Sequence, residues 1–278
     1  MTRSNIWTKP LVSLVVWLIV LIVVFPLIWM VLTSVKPQSE LFRIPATFWP
    51  TRITFEHYQT LLNETLFLKY LRNSIILSTS TTLLVIVVAV LGAFSLTRFA
   101  YPGRERIALL VLTTYLLPSV VLVLPLYLMM VRVGIANSLF SLVVAYTTFA
   151  LPYALWLLRS FMSSMPEELE WAALVDGASR LGAFFDVILP QAIPGIISTA
   201  LFTFIVTWNE YFYALILVNT DEARPLTTGV ITMLVTSFNI EWSLLMAAAV
   251  AMSLPLIIIF VFLQGYLVKG FATAGVKG

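Results

Sequence analysis

The chain has 278 residues, 60% of them hydrophobic and 10% charged, with a mean hydropathy of +1.01. Soluble domains run at about 45–50% apolar and about 25% charged, so this composition excludes a soluble globular protein and points to a polytopic membrane protein. The net charge of +3 comes from 16 basic residues scattered over loops, which speaks to membrane orientation and not to nucleic-acid binding; the absence of cysteine removes disulfides and thiolate metal sites, and the single histidine, His57, argues against a histidine-based one.

In chain order, six apolar runs approach the ~20 residues that a helix needs to cross ~30 Å of hydrocarbon. They lie at about 11–33, 71–97, 107–131, 139–161, 195–218 and 243–266, within one transmembrane domain of residues 1–278. The first follows Arg3 and Lys9 and contains Pro26. It is longer than a signal-peptide core and no small-x-small cleavage site follows it, so it is read as a transmembrane helix. An even number of spans puts both termini on one side. The short loop Arg98–Arg106 carries three arginines, against one each near Arg132 and Arg224, which places the termini in the cytoplasm. The long segment 34–70 also carries Lys36, Arg43, Arg52 and Lys69, but long loops weigh little in this rule.

Segment 34–70 reads as a small external substructure punctuated by Pro37, Pro45 and Pro50. Phe55, Tyr58, Leu61 and Leu62 have helical spacing, so a helix is expected over Thr54–Leu68 with Thr54 as its cap. It suits either a docking surface for an external partner or an amphipathic lid at the interface. Further on, Pro118, Pro125 and Pro152 interrupt segments three and four, as gate hinges or as static bends.

The polar island at 163–194 is the most structured of the loops. Ser164-Met165-Pro166-Glu167 has capping-box spacing, so a helix is expected from about Met165 to Val175, with Met165, Leu169, Ala172 and Ala173 on one face. Asp176-Gly177 should end it in a left-handed turn. Ser179 should cap a second short helix, Arg180 to about Val187, before Pro190 and Pro194 open the fifth membrane segment. Two short helices joined rigidly to membrane helices can transmit a push, which a floppy loop cannot.

Within the fifth segment, Asn209 and Glu210 sit about fifteen residues deep, where an ionisable side chain is a functional-site candidate. With Trp208, Tyr211 and Tyr213 they form an aromatic and hydrogen-bonding cluster of the kind that suits a sugar. They serve equally well as polar ties between helices. After the sixth segment, residues 267–278 form a glycine-rich tail that is expected to be extended from Lys269.

The polar island resembles the EAA loop of permease subunits in ATP-binding-cassette importers, a pattern that runs through a glycine to a closing Leu-Pro. Ala172, Ala173, Gly177, Ile188, Leu189 and Pro190 fall on it, and Asp176-Gly177-Ala178-Ser179 is similar to the sugar-importer version. Trp171 stands where the glutamate is expected, with Glu170 before it, which puts one ionic contact to the ATPase in question. Trp208-Asn209-Glu210, Leu244–Ala249, the ending from Val268 and Leu124–Tyr127 resemble maltose- and glycerol-phosphate-type carbohydrate permeases, so the resemblance covers nearly the whole chain.

The resemblance implies an all-α membrane protein with six transmembrane helices of the type I importer fold, short cytoplasmic coupling helices and an external loop. It implies a second, non-identical permease, an ATPase dimer and an extracytoplasmic solute-binding protein as partners, in a bacterial or archaeal cytoplasmic membrane. Glu167, Glu170, Trp171, Ala172, Ala173, Asp176, Gly177, Ala178, Ile188 and Pro190 are its expected coupling residues, and the tail is expected near the ATPases. The chain has no G-x-x-x-x-G-K-[ST] loop, so it is expected to be no enzyme and to carry no cofactor, with ATP and magnesium held by the partner ATPase. The alternative is an ion-coupled secondary carrier, which would show several intramembrane acids and inverted repeats; Glu210 is nearly alone in midmembrane and no internal repeat is visible. An integral-membrane enzyme would need a convergent catalytic cluster. The only acidic cluster, Glu167, Glu168 and Glu170, fits helix capping better.

Overall fold

In a bilayer every backbone polar group must be satisfied within the chain, which leaves helices as the economical solution for such apolar runs. The computed structural model describes residues 8–236 and 239–275. The described residues are almost entirely helical: α1 (Thr8–Ser34), α2 (Gln38–Leu41), α3 (Glu56–Asn63), α4 (Phe67–Arg98), α5 (Arg104–Tyr115), α6 (Ser119–Val133), α7 (Leu139–Ser163), α8 (Glu168–Val175), α9 (Arg180–Ala183), α10 (Leu189–Trp208), α11 (Phe212–Leu217), α12 (Leu226–Leu234) and α13 (Trp242–Gly275). A π-helical turn, Phe184–Ile188, joins α9 to α10. Between α12 and α13, β1 (Val235–Thr236) and β2 (Asn239–Ile240) pair antiparallel, Val235 opposite Ile240.

Among the described residues five helices are long and apolar enough to cross a membrane, within Val12–Ser34, Phe67–Arg98, Leu139–Ser163, Arg180–Trp208 and Trp242–Tyr266. A sixth span exists only as the pair α5 and α6, bent by 97° at Leu116–Pro118. The third segment expected at 107–131, with Pro118 and Pro125 interrupting it, is therefore broken sharply at the first of these prolines. Pro118 supplies the physical cause: it has no N–H to continue α5, and its own ring disfavours helix in the residue before it. Pro125 and Pro152 lie inside α6 and α7 without ending them.

The chain forms two compact units. The first comprises the segment up to Leu68 with Val230–Leu254. In it, the described apolar run of α1 from Val12 is largely exposed, and Ser34 Oγ shares a 2.7 Å hydrogen bond with Tyr58 Oη of α3. The external helix is shorter than expected: α3 begins at Glu56 and ends at Asn63. Thr54 does cap the Glu56 N–H with its hydroxyl, at 3.2 Å. Gln38 reaches the other strand of the unit, donating to the Ile240 carbonyl and accepting from the Ser243 N–H at 3.1 Å.

The second unit comprises Lys69–Gly229 with the segment from Pro255. Its core lies on α7. On one side Val85, Ala89 and Phe94 of α4 meet Ala154, Leu158 and Met162 of α7, with Phe184, Ile188 and Ala192 closing the cluster. On the other, Val123 and Met130 of α6 and Tyr213, Ala214 and Leu217 of α11 pack on Leu142, Ala145 and Tyr146. Small residues let the helices approach closely. A Cβ built on Gly195 of α10 would sit 2.6 Å from the Phe161 ring, so only glycine fits there. The tail expected to be extended from Lys269 is helical as far as Gly275; residues 276–278 lie outside the described residues.

Candidate coupling loop and membrane polar cluster

Helix α8 starts later than its sequence suggests. Ser164 does not form the expected capping box: its hydroxyl donates back to the Phe161 carbonyl at 2.7 Å, closing α7. Glu167, at the N-cap of α8, makes no side-chain cap either. The end of α8 is as the sequence implies. Gly177 has φ +92°, its N–H donates to the Leu174 carbonyl (3.1 Å), and the Ala178 N–H donates to that of Ala173 (3.0 Å). These two bonds are the Schellman pattern, which consumes carbonyls that the helix end would otherwise leave open.

Ser179 then caps α9, accepting from the Gly182 N–H at 3.1 Å. The second short helix does not stop before the membrane. It passes through the π-helical turn, where the Leu189 N–H reaches back to the Phe184 carbonyl, into α10, so that Arg180–Trp208 is one span. The wider turn accommodates Pro190, which has no N–H to offer an α-helical ladder. The loop is thus one short helix and one extension of a membrane helix, rather than two separate short helices.

What holds α8 in place is Arg98, the last residue of α4, a residue the sequence analysis passed over except as a topology signal. Its side chain is 4% exposed. One Nη2 donates to the Met162 (3.3 Å) and Met165 (3.1 Å) carbonyls at the end of α7. Its Nε lies 3.6 Å from the Glu170 carboxylate, and Nη1 3.8 Å from that of Glu167. Glu170 is buried at 6% exposure and faces inward to Arg98. A buried carboxylate without such a partner would be costly. Behind it Phe94 packs on Phe184 at 4.5 Å between ring centres, and Arg180 sits 5.3 Å over Phe99.

The outward side carries large apolar side chains beside exposed Glu168, Asp176, Arg180 and Asp186. Trp171 is 66% exposed and Val175 86%, and Leu181 and Phe185 stand out beside them on elements packed against α8. Ala172, Asp176, Gly177 and Pro190 are exposed, Ala173 and Ala178 half-buried, and Ile188 is in the core.

The fifth segment breaks where the polar pair lies. α10 ends at Trp208 and α11 starts at Phe212, so the continuous helix expected over 195–218 is interrupted at 209–211. The Glu210 carboxylate accepts from the Tyr213 (2.9 Å) and Ala214 (3.3 Å) N–H groups, capping α11 and satisfying donors the break exposes. Its carbonyl accepts from Thr227 Oγ1 at 2.7 Å. Asn209 donates to the Ile205 carbonyl at 2.8 Å and closes α10. Trp208 and Tyr213 are buried, whereas Asn209 and Tyr211 are exposed. The structure therefore does not bring the five residues onto one lining. A second unforeseen residue is Asn137, in the left-handed region at φ +57°, whose Oδ1 accepts from the Asn219 and Thr220 N–H groups (3.0 and 3.2 Å) and holds the loop after α11. A lone asparagine in a short loop gave no sign of this.

Residues 102–273 match the family of binding-protein-dependent transport system inner membrane components. The chain belongs to that family. It is 36% identical over 256 residues to the diacetylchitobiose uptake system permease protein DasC of Streptomyces coelicolor, covering 92% of each chain. It is 32% identical to the trehalose/maltose transport system permease protein MalG of Thermococcus litoralis, over 99% of both chains. The sulfoquinovosyl glycerol transport system permease protein SmoH of Agrobacterium fabrum is also 32% identical, over 97% of this chain and 94% of that one. Among solved structures, a chain of a bacterial ABC transporter involved in alginate import superposes with a TM-score of 0.83 at 21% identity, covering 96% of this chain and 98% of that one. The chain is thus a multi-pass permease with the fold of ABC-importer membrane subunits, and a transport subunit in function.

Proposed function

We propose that this permease works in a carbohydrate importer, for a di- or oligosaccharide or a related polyol or glycerol phosphate. It pairs with a second, non-identical permease and is driven by a separate ATPase dimer that binds the ATP and magnesium. A solute-binding protein delivers the cargo on the extracytoplasmic side, and both termini lie in the cytoplasm. The cargo class is supported by the names of the three relatives cited above, which denote diacetylchitobiose, trehalose/maltose and sulfoquinovosyl glycerol.

The observation that carries the ATPase docking is the exposed apolar ridge of Trp171, Val175, Leu181 and Phe185, backed by the buried Arg98–Glu170 pair. Exposed large apolar side chains on a braced surface mark a protein interface. With Trp171 in the glutamate's place and Glu170 turned inward, this docking is apolar rather than ionic at that point. A push on α8 reaches α4 and α7 through Arg98, and reaches the break at 209–211 through the continuous α9–α10 rod. Asn209 and Tyr211 are the exposed side chains of the polar cluster and the ones placed to meet cargo; Trp208, Glu210 and Tyr213 build the break.

The test is reconstitution of this chain with its neighbouring permease, ATPase and binding protein in proteoliposomes. Uptake of radiolabelled oligosaccharide should require ATP inside the vesicle-equivalent cytoplasmic face and the binding protein on the other. Uptake by the permeases alone, driven by a cation gradient, would overturn the reading in favour of a secondary carrier.

A further inference from the structure

The external segment between α1 and α3 is built inside out. Its backbone closes on itself where the Thr54 N–H donates to the Val35 carbonyl at 2.9 Å, and His57 Nε2 lies 3.0 Å from the Lys36 carbonyl. Its interior is polar. The buried carboxylate of Glu40 accepts from Thr47 Oγ1 (2.7 Å), Thr51 Oγ1 (2.8 Å) and the Thr51 N–H (3.0 Å), while buried Lys36 donates to the Thr47 carbonyl. Its exterior is apolar: Phe42, Trp49, Ile53 and Phe55 are exposed, and Ile44 is 98% exposed. A loop adapted to water shows the opposite order.

The depth of this segment can be read against α1. The apolar run of α1 ends at Thr33. The loop folds back along the helix, because the Phe48 ring centre lies 6.0 Å from that of Phe25 and 5.6 Å from that of Trp29, and Trp49 packs edge-on against Phe48 at 5.3 Å. At 1.5 Å per residue, Trp29 and Phe25 are about 6 and about 12 Å below Thr33 along the helix axis. Phe48 and Trp49 therefore sit at about the depth, roughly 5–10 Å, at which interfacial segments bury their apolar faces. Arg43 and Arg52 are exposed among these apolar side chains, and Lys36 stands 5.3 Å over the Trp29 ring. Tryptophan with arginine is the composition of a membrane interface, where the ring meets the acyl boundary and the guanidinium reaches lipid phosphate.

We propose that residues 42–55 form a lipid anchor, seated in the headgroup–acyl boundary of the leaflet where α1 ends. Within it, Glu40 and Lys36 satisfy the Thr51 N–H and the Thr47 carbonyl from inside, two of the polar backbone groups that such a seat would otherwise leave costly. The anchor fixes the far end of α1.

The chain has no cysteine, so single reporters are simple to place. The probe is the fluorophore NBD on Ile44→Cys, on Phe42→Cys and, as a water-facing control on α3, on Gln59→Cys. Each is measured in the assembled transporter, in vesicles of phosphatidylethanolamine and phosphatidylglycerol containing lipid with a shallow doxyl quencher. Residues 42 and 44 should lose roughly half their emission to the doxyl lipid and little to aqueous iodide, with the reverse at residue 59. Quenching of both loop sites by iodide would place the loop in water and overturn the proposal. Shielding from both quenchers would overturn it as well, because a protein partner would then be what covers the loop.

Discussion

Replacing Arg98 by alanine removes the one cation that faces Glu170 and two hydrogen bonds that close α7. Glu170, buried, is left as an unpaired carboxylate, and breaking a buried pair from one side costs about 3–5 kcal/mol. The Met162 and Met165 carbonyls lose their donor, an effect of about 1–3 kcal/mol that overlaps with the first. We expect a total loss of about 3–5 kcal/mol for Arg98→Ala and about 2–4 kcal/mol for Glu170→Ala, which leaves the buried guanidinium with exposed Glu167 and the two α7 carbonyls. The double variant has no stranded charge and should cost little more than Arg98→Ala alone. That corresponds to a coupling energy of about 2–3 kcal/mol, far above the few tenths found for independent sites. Denaturant unfolding of the purified chain in detergent micelles, followed by tryptophan emission, reads all four states of this cycle. Strictly additive costs would refute the reasoning, because they would mean that Arg98 and Glu170 do not hold each other.

Gly177→Ala should cost about 1–2 kcal/mol, since the left-handed turn is penalised although nothing lies within 4 Å of the added Cβ; Gly177→Asn should recover part of it, as thermal melts of the three proteins would show. Glu210→Ala should destabilise by about 2 kcal/mol by uncapping α11, and Glu210→Gln by less because an acceptor remains; equal losses would show that the carboxylate's caps on Tyr213 and Ala214 are not the source. The Thr47 hydroxyl, together with Thr51 and the Lys36 charge, holds the Glu40 carboxyl at about 2, below the ordinary 4.5, despite its desolvation. A depressed value stabilises the folded loop fully above about 4.5 and loses that contribution as pH falls through about 2. NBD at residue 44 should therefore keep its emission from pH 7 to 5 and change only in stronger acid; a transition at pH 5–6 would contradict the hydrogen-bond assignment.

The spans were legible because apolar runs of this length have no other use, and their order follows directly. The breaks were less so. Pro118 announces a discontinuity, but not that α5 and α6 meet at 97°. Asn209 and Glu210 announce polarity at depth, yet a sequence cannot distinguish a side chain reaching for cargo from one capping a helix restart three residues later. In the coupling loop, Gly177 and Ser179 act locally, within four residues, and both roles were readable. Ser164 shows the limit of the same logic: its capping-box spacing is intact, but the end of α7 competes for its hydroxyl. Arg98 and Glu170 are brought together only by tertiary packing of α4 on α7, and nothing in the local pattern of either residue links them. The helical run to Gly275 likewise outlasts what three glycines in the last ten residues suggested.

The central claim is that the apolar ridge on α8 and α9 receives the motion of an ATPase. The most direct measurement is ATP hydrolysis by the assembled transporter in nanodiscs, with and without solute-loaded binding protein, comparing the native chain with Trp171→Glu and Val175→Lys. Both side chains are exposed, so the chain should fold and melt as before. We predict that hydrolysis by the native assembly rises when the binding protein is added, and that each substitution weakens ATPase association and abolishes that rise. An intact complex whose stimulated rate is unchanged by both substitutions would contradict the account.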